Sequence, residues 1–267
     1  RPAITQFLDA QKPRFVHVVG HSLGGALATM AAEQIAGAGV PAKLYTFGSP
    51  RVGLARFARR VDMAVGVANI YRCYHMADPV SMLPVFPFCH VSLAMGGYRL
   101  ASPGDIVAVS AHLLGGYATD AGDRSWDEIG RVRNPFGSLT AAQAWLEQAA
   151  QGAIAFPTMS GTAISLAAQA LNLIIQAAVT LGVAATMLAE TAADWLAQLL
   201  ARIIAASIEL GRMVRHFVMV CLRLVGAAVV VSAEGAGLAA SFIRAVLEML
   251  FHAIATRAAR AIQLRLN

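Results

Sequence analysis

The chain has 267 residues, a net charge of +6, and only 13% charged residues against 57% hydrophobic ones. This length allows one large domain or two smaller ones, and the apolar excess must be buried in protein, in a partner or in lipid. The basic residues are scattered, without a Lys/Arg run interleaved with aromatic residues, so the composition argues against a nucleic-acid partner.

The first predicted elements are a short helical segment at residues 4–13 and a strand that leads into a helix at residues 15–36. The strand is rich in β-branched and aromatic residues, and an alanine-rich helical pattern follows it. Between them lies a G-x-S-x-G sequence, GHSLG, centred on Ser22. Such a turn exposes a serine hydroxyl above a sheet, and its glycines let strand and helix approach each other. Ser22 is therefore interpreted as a nucleophile, with a polar residue in a tight turn as the alternative.

The helix after Ser22 also predicts an oxyanion site. Its first N–H groups and the positive end of its dipole point back toward the turn, where negative charge would develop on a substrate carbonyl. The backbone N–H of Leu23 is the expected donor.

Two more strands are predicted in the first half of the chain. The segment KLYTFGSPRVG at residues 43–53 indicates a second strand and its exit loop. The segment at residues 67–80 indicates a third strand, which ends in a loop that carries Asp78. Because helical stretches at residues 26–36 and 55–64 separate the strands, the pattern favours βαβ units and a parallel sheet.

The first half is predicted to end with a hairpin and a boundary. Residues 90–104 are expected to form a hairpin that turns at Gly96-Gly97. Asn, Pro and Gly residues then interrupt the chain at residues 131–139. We therefore expect an α/β domain at residues 1–137 and an apolar helical domain at residues 138–267.

The second half is predicted to be helical throughout. We interpret residues 140–265 as three or four long helices, broken near Gly182, Gly211 and Gly235–Gly237. Residues 148–189 contain no charged side chain. The part at 163–189 is long enough to span a bilayer, and a core helix of a soluble bundle is the alternative.

Polar side chains of the second half fall into stripes at helical spacing. A narrow stripe in the uncharged part consists of Ser165, Gln169, Asn172, Gln176 and Thr180. A second arc consists of Glu190, Asp194, Gln198, Arg202, Glu209, Arg212, Arg215, His216 and Arg223. The mixed charges of this arc argue against a simple transmembrane helix there.

A serine nucleophile needs a histidine to take its proton and a carboxylate to orient that histidine. Asp78 follows the third strand directly, at the edge where a parallel sheet delivers residues beside the nucleophile. Glu33 lies too far along the helix after Ser22, and Asp62 is interpreted as a solvated helix residue. Asp78 is therefore the predicted acid.

The base is chosen among seven histidines by their context. Five are interpreted as structural or as members of polar helical faces, namely His17, His21, His75, His216 and His252. Of the remaining two, His112 lies in a connection after the predicted hairpin, whereas His90 begins a strand-like stretch closer to Asp78. We favour His112 as the base and keep His90 as the alternative.

Three segments in this order, VVGHSLGGALA, YTFGSPRVG and DPVSMLP, carry a family resemblance. Over about residues 5–120 the chain resembles the class 3 (fungal-type) lipase family of the α/β-hydrolase superfamily. The resemblance implies a hydrolase core that cleaves carboxylic esters of lipids through an acyl-serine intermediate. It places Ser22, Asp78 and His112 at the positions of the family triad, and His90 at a recurrent non-catalytic histidine.

The chain departs from the family pattern in three ways. Ser81 stands where the family has a proline. The early strands of the family sheet are expected to be missing, together with the loop that supplies a second oxyanion donor. We therefore expect a companion chain or a missing N-terminal segment to complete the sheet. Nothing in the family motifs accounts for the apolar helices after residue 140.

Two hypotheses of function follow. The first is a lipase or phospholipase, secreted or membrane-associated, whose helices engage a membrane or a partner. The second is a non-catalytic membrane-associated or assembly module that retains a hydrolase relic. No cofactor is expected, because the histidines lack metal-ligand spacing and a serine hydrolase needs no metal.

Overall fold

The computed structural model of the chain describes residues 2–93, 95–102, 104–132, 135–183, 191–227 and 238–263. These residues form seven strands, ten α-helices and short π- and 3₁₀-helical turns. The strands are β1 (Val16–His21), β2 (Ala42–Phe47), β3 (Gly53–Leu54), β4 (Ile70–His75), β5 (Phe88–Cys89), β6 (Gly97–Leu100) and β7 (Arg131–Val132). The helices are α1 (Pro2–Gln11), α2 (Leu23–Gly37), α3 (Ala55–Val61), α4 (Leu114–Ala121), α5 (Trp126–Ile129), α6 (Leu139–Gln151), α7 (Gly161–Thr180), α8 (Ala192–Ala206), α9 (Ile208–Leu224) and α10 (Ala240–Gln263).

The chain divides into two compact units. The first unit comprises Arg1–Gly104, Ala108–Arg133 and Arg257–Asn267. The second unit comprises Asp105–Val107 and Asn134–Thr256. The division into domains at residue 137, expected from the change in composition, stays a prediction.

The first unit is built on a five-stranded sheet with the order β1-β2-β4-β6-β7. The first four strands are parallel, and β7 pairs antiparallel with β6. Helices α2 and α3 connect successive parallel strands, as in βαβ units. The α/β class and the parallel sheet predicted from the sequence are confirmed, and an all-helical unit follows them.

The two faces of this sheet are packed differently. One face, covered by α2 and α3, carries an aliphatic core of Ala28, Ala32, Leu44, Ala58, Val61, Val65, Ile70 and Val91. On the other face, rings stack across neighbouring strands, with 5.7 Å between His17 and Tyr45 and 4.9 Å between Tyr45 and Tyr71. This second face carries the buried Tyr117, which belongs to the site described below.

The hairpin predicted at residues 90–104 is wrong. Strand β6 pairs with β4 and β7, and β5 pairs with β3. The backbone N–H groups of Ser92 and Leu93 donate instead to the carboxylate of Asp62, at 2.7 and 3.0 Å. Asp62 is therefore not a solvated helix residue, because it ties down the segment that would have formed the first strand of the hairpin.

The helical unit differs from the prediction in where its helices end. Helix α7 ends beside Gly182, as predicted, but α9 runs through Gly211. The break lies at Ser207, whose extended backbone separates α8 from α9 and whose Oγ accepts from the N–H of Leu210 at 3.2 Å. A Cβ on Gly211 would lie 3.1 Å from the Cα of Ile204, so this glycine permits a close approach within a helix. The break predicted at Gly235–Gly237 lies outside the described residues.

The predicted polar stripes map only in part onto the helices. Asn172, Gln176 and Thr180 are exposed on α7, and the apolar residues of the opposite face are buried. Glu190, the first residue of the second arc, lies outside the described residues. From Asp194 onward the arc does not follow one helix, because Ser207 interrupts it. His216 does not lie on a polar face: it is buried, and its burial lowers its pKa.

In the part of the chain that the structure describes, α7 alone is long and apolar enough to cross a membrane. Its most apolar window has a mean hydropathy of 1.5, and 39% of that window is buried within the protein. A core helix of a soluble protein meets the same criteria, so length and composition are weak evidence for a membrane span. Residues 184–189 of the predicted stretch lie outside the described residues.

Candidate active site

Ser22 occupies a sharp turn between β1 and α2. Its backbone has φ 57° and ψ −132°, a conformation that a non-glycine residue rarely adopts and that costs on the order of 1–3 kcal/mol. The approach of strand to helix depends on Gly20, since a Cβ there would lie 2.1 Å from the carbonyl oxygen of Gly24. Gly24 itself has open space around its would-be Cβ, so only one of the two motif glycines serves this approach.

The structure brings Ser22, Asp78 and His112 together. The Nε2 of His112 lies 2.8 Å from the Oγ of Ser22. The Nδ1 of His112 lies 2.9 Å from Oδ2 and 3.0 Å from Oδ1 of Asp78. Because a carboxylate only accepts, Nδ1 carries a proton and Nε2 is free to accept the proton of the serine hydroxyl. Asp78 and His112 are fully buried, and Ser22 is 8% exposed.

The carboxylate of Asp78 is held by two further donors. The N–H of Val80 donates to Oδ1 at 2.8 Å, and the hydroxyl of Tyr117 donates to Oδ2 at 2.6 Å. Burial, and then the charge of Asp78, raise the pKa of Tyr117 well above its usual value, so the phenol keeps its proton. Gly48 of the TFGSP segment leaves room for this cluster, because a Cβ there would lie 2.5 Å from the Oδ2 of Asp78.

Two other histidines support the backbone that carries His112. The Nε2 of His21 donates to the carbonyl of His112 at 2.9 Å. The Nδ1 of His75 donates to the carbonyl of Ala111 at 2.7 Å. Hydrogen bonds therefore hold the carbonyls of Ala111 and His112 in the 3₁₀ turn that presents the imidazole to Ser22. These contacts are structural, as predicted for His21 and His75.

His90, the alternative base, contacts the loop after Asp78 and not Ser22. Its Nε2 donates to the carbonyl of Ser81 at 2.8 Å. Burial, with the nearby charges of Arg72 and Arg51, lowers the pKa of His90 well below its usual value. Ser81, which replaces the family proline, donates from Oγ to the carbonyl of Asp78 at 3.0 Å and so closes the turn.

Arg51 of the GSPRVG segment holds the other end of the same loop. Its N–H donates to the carbonyl of Leu83 at 2.7 Å, and its guanidinium donates to the carbonyls of Met82 and Pro84. The loop after Asp78 is therefore held by two residues that lie outside it, His90 and Arg51, which donate to its backbone carbonyls.

Leu23 is the first residue of α2. An N–H in the first turn of a helix has no acceptor within that helix, and the positive end of the dipole adds to its attraction for an anion. The Leu23 N–H therefore stands next to Ser22 at the position expected of one oxyanion donor. Its side chain is 63% exposed.

Two residues of the site were not predicted as part of it. Tyr117 was not singled out, and His75 was assigned only a structural role on its strand. Both contacts join elements that are far apart in sequence, so no local pattern indicates them. A tyrosine in the short helix after His112 is the only signal that the sequence offers.

Within the described residues, no group of three or more His, Cys, Asp and Glu side chains is placed to hold a metal ion. The arrangement supplies a hydroxyl, a base that accepts its proton, and a buried carboxylate that stabilises the protonated base. These are the parts of a nucleophilic acyl-transfer site.

Comparison with known proteins finds similarity for only part of the chain, and this part carries two residues of the site. Residues 1–88 match the family described as lipase (class 3). The chain is 48% identical over 92 residues to secreted mono- and diacylglycerol lipase 1 of Fusarium solani, covering 34% of this chain and 25% of that protein. It is 40% identical over 73 residues to phospholipase A1 EG1 of Oryza sativa subsp. indica, covering 26% of this chain and 16% of that protein.

Among solved structures, the mono- and diacylglycerol lipase from Aspergillus oryzae is 32% identical, with a TM-score of 0.34 and 42% of each chain covered. The chain spans only 25% and 30% of the length of the first curated relatives that it matches. The residues that match the family model, 1–88, contain Ser22 and Asp78 but not His112. Residues 1–88 of this chain are therefore similar to the class 3 lipase family.

Proposed function

We propose that the chain is a serine hydrolase that cleaves carboxylic esters of lipids through an acyl-serine intermediate. The observation that carries the proposal is the hydrogen-bonded series from Ser22 Oγ through His112 to Asp78, with distances of 2.8 and 2.9 Å. Three residues from three distant segments meet in the geometry that nucleophilic catalysis requires.

The proposed mechanism uses these residues in turn. Ser22 Oγ attacks the ester carbonyl while His112 Nε2 takes its proton, and the N–H of Leu23 donates to the developing oxyanion. His112 then passes the proton to the leaving alcohol, which gives an acyl-serine. Water, activated by the same imidazole, releases the fatty acid. Asp78 stays ionised and stabilises the imidazolium at each stage.

The substrate class is inferred from the relatives. Curated relatives include secreted mono- and diacylglycerol lipases, phospholipases A1 and a galactolipase. Their shared chemistry is the acyl ester of a glycerolipid, and we propose this bond as the substrate of the chain. The secreted relatives support a site of action outside the cell.

A second oxyanion donor is proposed to come from a segment that completes the sheet. In the described residues β1 is an edge strand, and its Val19 is 64% exposed. A strand from a companion chain or from a further N-terminal segment would pair with the free edge of β1 and cover Val19. Amide hydrogen exchange tests this proposal: alternate amides of β1 should exchange fast in the isolated chain, and uniformly slow exchange would contradict it.

The helical unit is proposed to engage a lipid surface. Three of its large apolar side chains are strongly exposed: Val179 by 63%, Leu181 by 62% and Ile208 by 89%. A variant with all three replaced by Ser should fail to float with phosphatidylcholine–phosphatidylglycerol vesicles that carry the wild-type protein. Met63→Ser, an exposed apolar residue of the other unit, is the control. Equal flotation of the triple variant would overturn the proposal.

Hydrolysis assays on the full chain test the proposed activity. Wild type should release fatty acid from diacylglycerol, from phosphatidylcholine or from p-nitrophenyl esters, and Ser22→Ala should lose all but background release. Ser241→Ala, an exposed serine on α10, serves as the matched control. Equal rates for wild type and Ser22→Ala would favour the alternative of a non-catalytic module that retains the hydrolase geometry.

A further inference from the structure

The last two turns of α10, residues 257–263, belong to the unit that contains the sheet. Within these turns Ala258 is 3% exposed and Ala261 is fully buried. Their neighbours Ala259 and Ile262 are exposed. Buried residues three positions apart lie on the same side of a helix, so one face of this segment is packed against the protein.

The buried face of α10 packs in one apolar cluster with Val80, and Leu83 and Val109 pack against the same cluster. Val80 and Leu83 lie in the loop that follows Asp78. Val109 is the first residue of the 3₁₀ turn that ends at His112. The cluster therefore includes residues from the loop after the acid and from the turn that carries the base.

The backbone of Val80 connects this cluster directly to the acid. Its N–H donates to Oδ1 of Asp78 at 2.8 Å, and the same oxygen lies 3.0 Å from Nδ1 of His112. The carbonyl of Val80 accepts from the N–H of Leu83 at 3.1 Å, which closes the turn. A displacement of the Val80 side chain would therefore move a donor that orients the carboxylate.

The turn of the base is joined to the loop of the acid by its backbone. The N–H of Ala108 donates to the carbonyl of Ala77 at 3.1 Å, and the N–H of Ala111 donates to the carbonyl of Ala108 at 3.2 Å. Ala77 precedes Asp78, and Ala108 precedes Val109. The two segments therefore respond together to a change in the apolar cluster.

The helix contributes only alanine side chains to this buried cluster, whereas the loop contributes the branched Val80. Close-packed interiors tolerate little change in volume, and added methylene groups displace the side chains or the backbone around them. The position of the loop after Asp78 therefore depends on the small size of Ala258 and Ala261.

We propose that Ala258 and Ala261, at the end of α10, are positioning residues for the acid and the base of the site. They act through Val80 and Val109 and not by contact with a substrate. The role in catalysis rests on the proposed function, whereas the packing does not. The match to the lipase family ends at residue 88, so the inference adds a requirement from a distant part of the chain.

Kinetics of two volume-changing variants of the full chain test the positioning role. Ala261→Val adds two methyl groups to the cluster, and Val80→Ala removes two but keeps the N–H that donates to Asp78. Each should lower kcat for a p-nitrophenyl ester by a factor of about 10 to 100 with little change in KM, because small misplacements of catalytic groups are costly. Ala259→Val, exposed on the same helix, is the matched control and should keep the wild-type kcat.

The combined variant separates positioning from a loss of stability. Val80→Ala together with Ala261→Val keeps the total volume of the cluster, so most of kcat should return. Melting by circular dichroism confirms that each variant is folded. Unchanged kcat in the folded single variants would overturn the positioning role, and so would a combined variant in which the two losses of kcat simply multiply.

Proton NMR tests the same link without reference to activity. The proton between Nδ1 of His112 and Asp78 should give a downfield resonance that is absent in His112→Ala. This resonance should shift in both single variants, return in the combined variant and stay in place in Ala259→Val. An unmoved resonance in the folded single variants would overturn the proposal. Wild-type protein that hydrolyses no ester would overturn the proposed function, while the shifts would still support the link between α10 and the site.

Discussion

The hydroxyl of Tyr117 donates a 2.6 Å hydrogen bond to Oδ2 of Asp78, the same oxygen that lies 2.9 Å from Nδ1 of His112. The tyrosine also accepts from the backbone N–H of His75 at 3.1 Å. One phenol therefore links the strand that precedes the acid to the carboxylate itself. The orientation of Asp78 depends on a residue that follows His112 in the chain.

Tyr117→Phe should lower the rate of ester hydrolysis without unfolding the protein. The variant removes one of the donors to a buried carboxylate, and a hydrogen bond to a charged group contributes about 1.5–3 kcal/mol, which corresponds to a loss on the order of 10-fold or more in kcat. Steady-state kinetics on a p-nitrophenyl ester measures the change. Retention of the full rate would mean that Val80 and His112 orient Asp78 by themselves.

Gly48→Ala should damage both stability and activity. Gly48 has φ +56°, and a Cβ there would lie 2.5 Å from Asp78 Oδ2 and 2.9 Å from a ring carbon of Tyr117. Overpacking of this kind costs about 1–3 kcal/mol of unfolding free energy. Gly24→Ala is the matched comparison, because its Cβ meets nothing within 4 Å. Urea unfolding should show a loss only for Gly48→Ala, and equal losses would contradict the packing argument.

His90 should make the protein less stable in acid. Its pKa is well below the usual value in the folded state because it is buried near Arg72 and Arg51. The unfolded chain therefore takes up a proton as the pH falls below about 6.5, whereas the folded chain does not, so stability present above that pH is lost on acidification. The loss at about pH 5.5 should be near 1 kcal/mol and should shrink in His90→Gln.

The control for this pH effect is His252→Gln, since His252 is exposed on α10. Urea unfolding of the three proteins near neutral pH and in mild acid gives the comparison. A pH dependence in His90→Gln equal to that of wild type would show that another group accounts for the acid sensitivity.

The site was more predictable from sequence than the packing around it. Ser22 and Asp78 follow strands directly, so local patterns and the rule that parallel strands end at one edge indicate where they lie. Tyr117 and His75 contact each other although they lie in segments that are far apart in sequence. Hydrophobic periodicity does not predict such contacts. The hairpin at 90–104 failed for the same reason, because Asp62, about thirty residues earlier, takes the backbone N–H groups that a hairpin would have used.

The helical unit contains a second feature that the sequence pattern does not predict, the position of a helix break. A glycine in a helical pattern predicts a break, yet Gly211 lies within α9 because the backbone of Ile204 approaches it. The helices break at Ser207, which caps α9 through its side chain. In an alanine-rich sequence, one serine is no stronger signal of a helix end than one glycine. A glycine in a helical pattern therefore does not distinguish a close backbone approach within a helix from the end of a helix.

Substitutions at these two positions test the corrected helix ends. Ser207→Ala should cost about 1 kcal/mol of unfolding free energy, because the N–H of Leu210 loses its acceptor. Gly211→Ala should destabilise as well, despite the better helix propensity of alanine, because its Cβ would press on the Ile204 backbone. A stabilising Gly211→Ala together with a neutral Ser207→Ala would place the break where the sequence predicted it.

The central claim is that His112 and Asp78 make Ser22 a nucleophile. Mass spectrometry of the full chain after treatment with a fluorophosphonate measures this most directly, because the reagent modifies activated serines whatever the natural substrate is. We predict a single adduct on the peptide that contains Ser22, and its loss or strong slowing in His112→Ala. An unmodified Ser22 in folded wild-type protein, or an equal rate of modification in His112→Ala, would contradict the account.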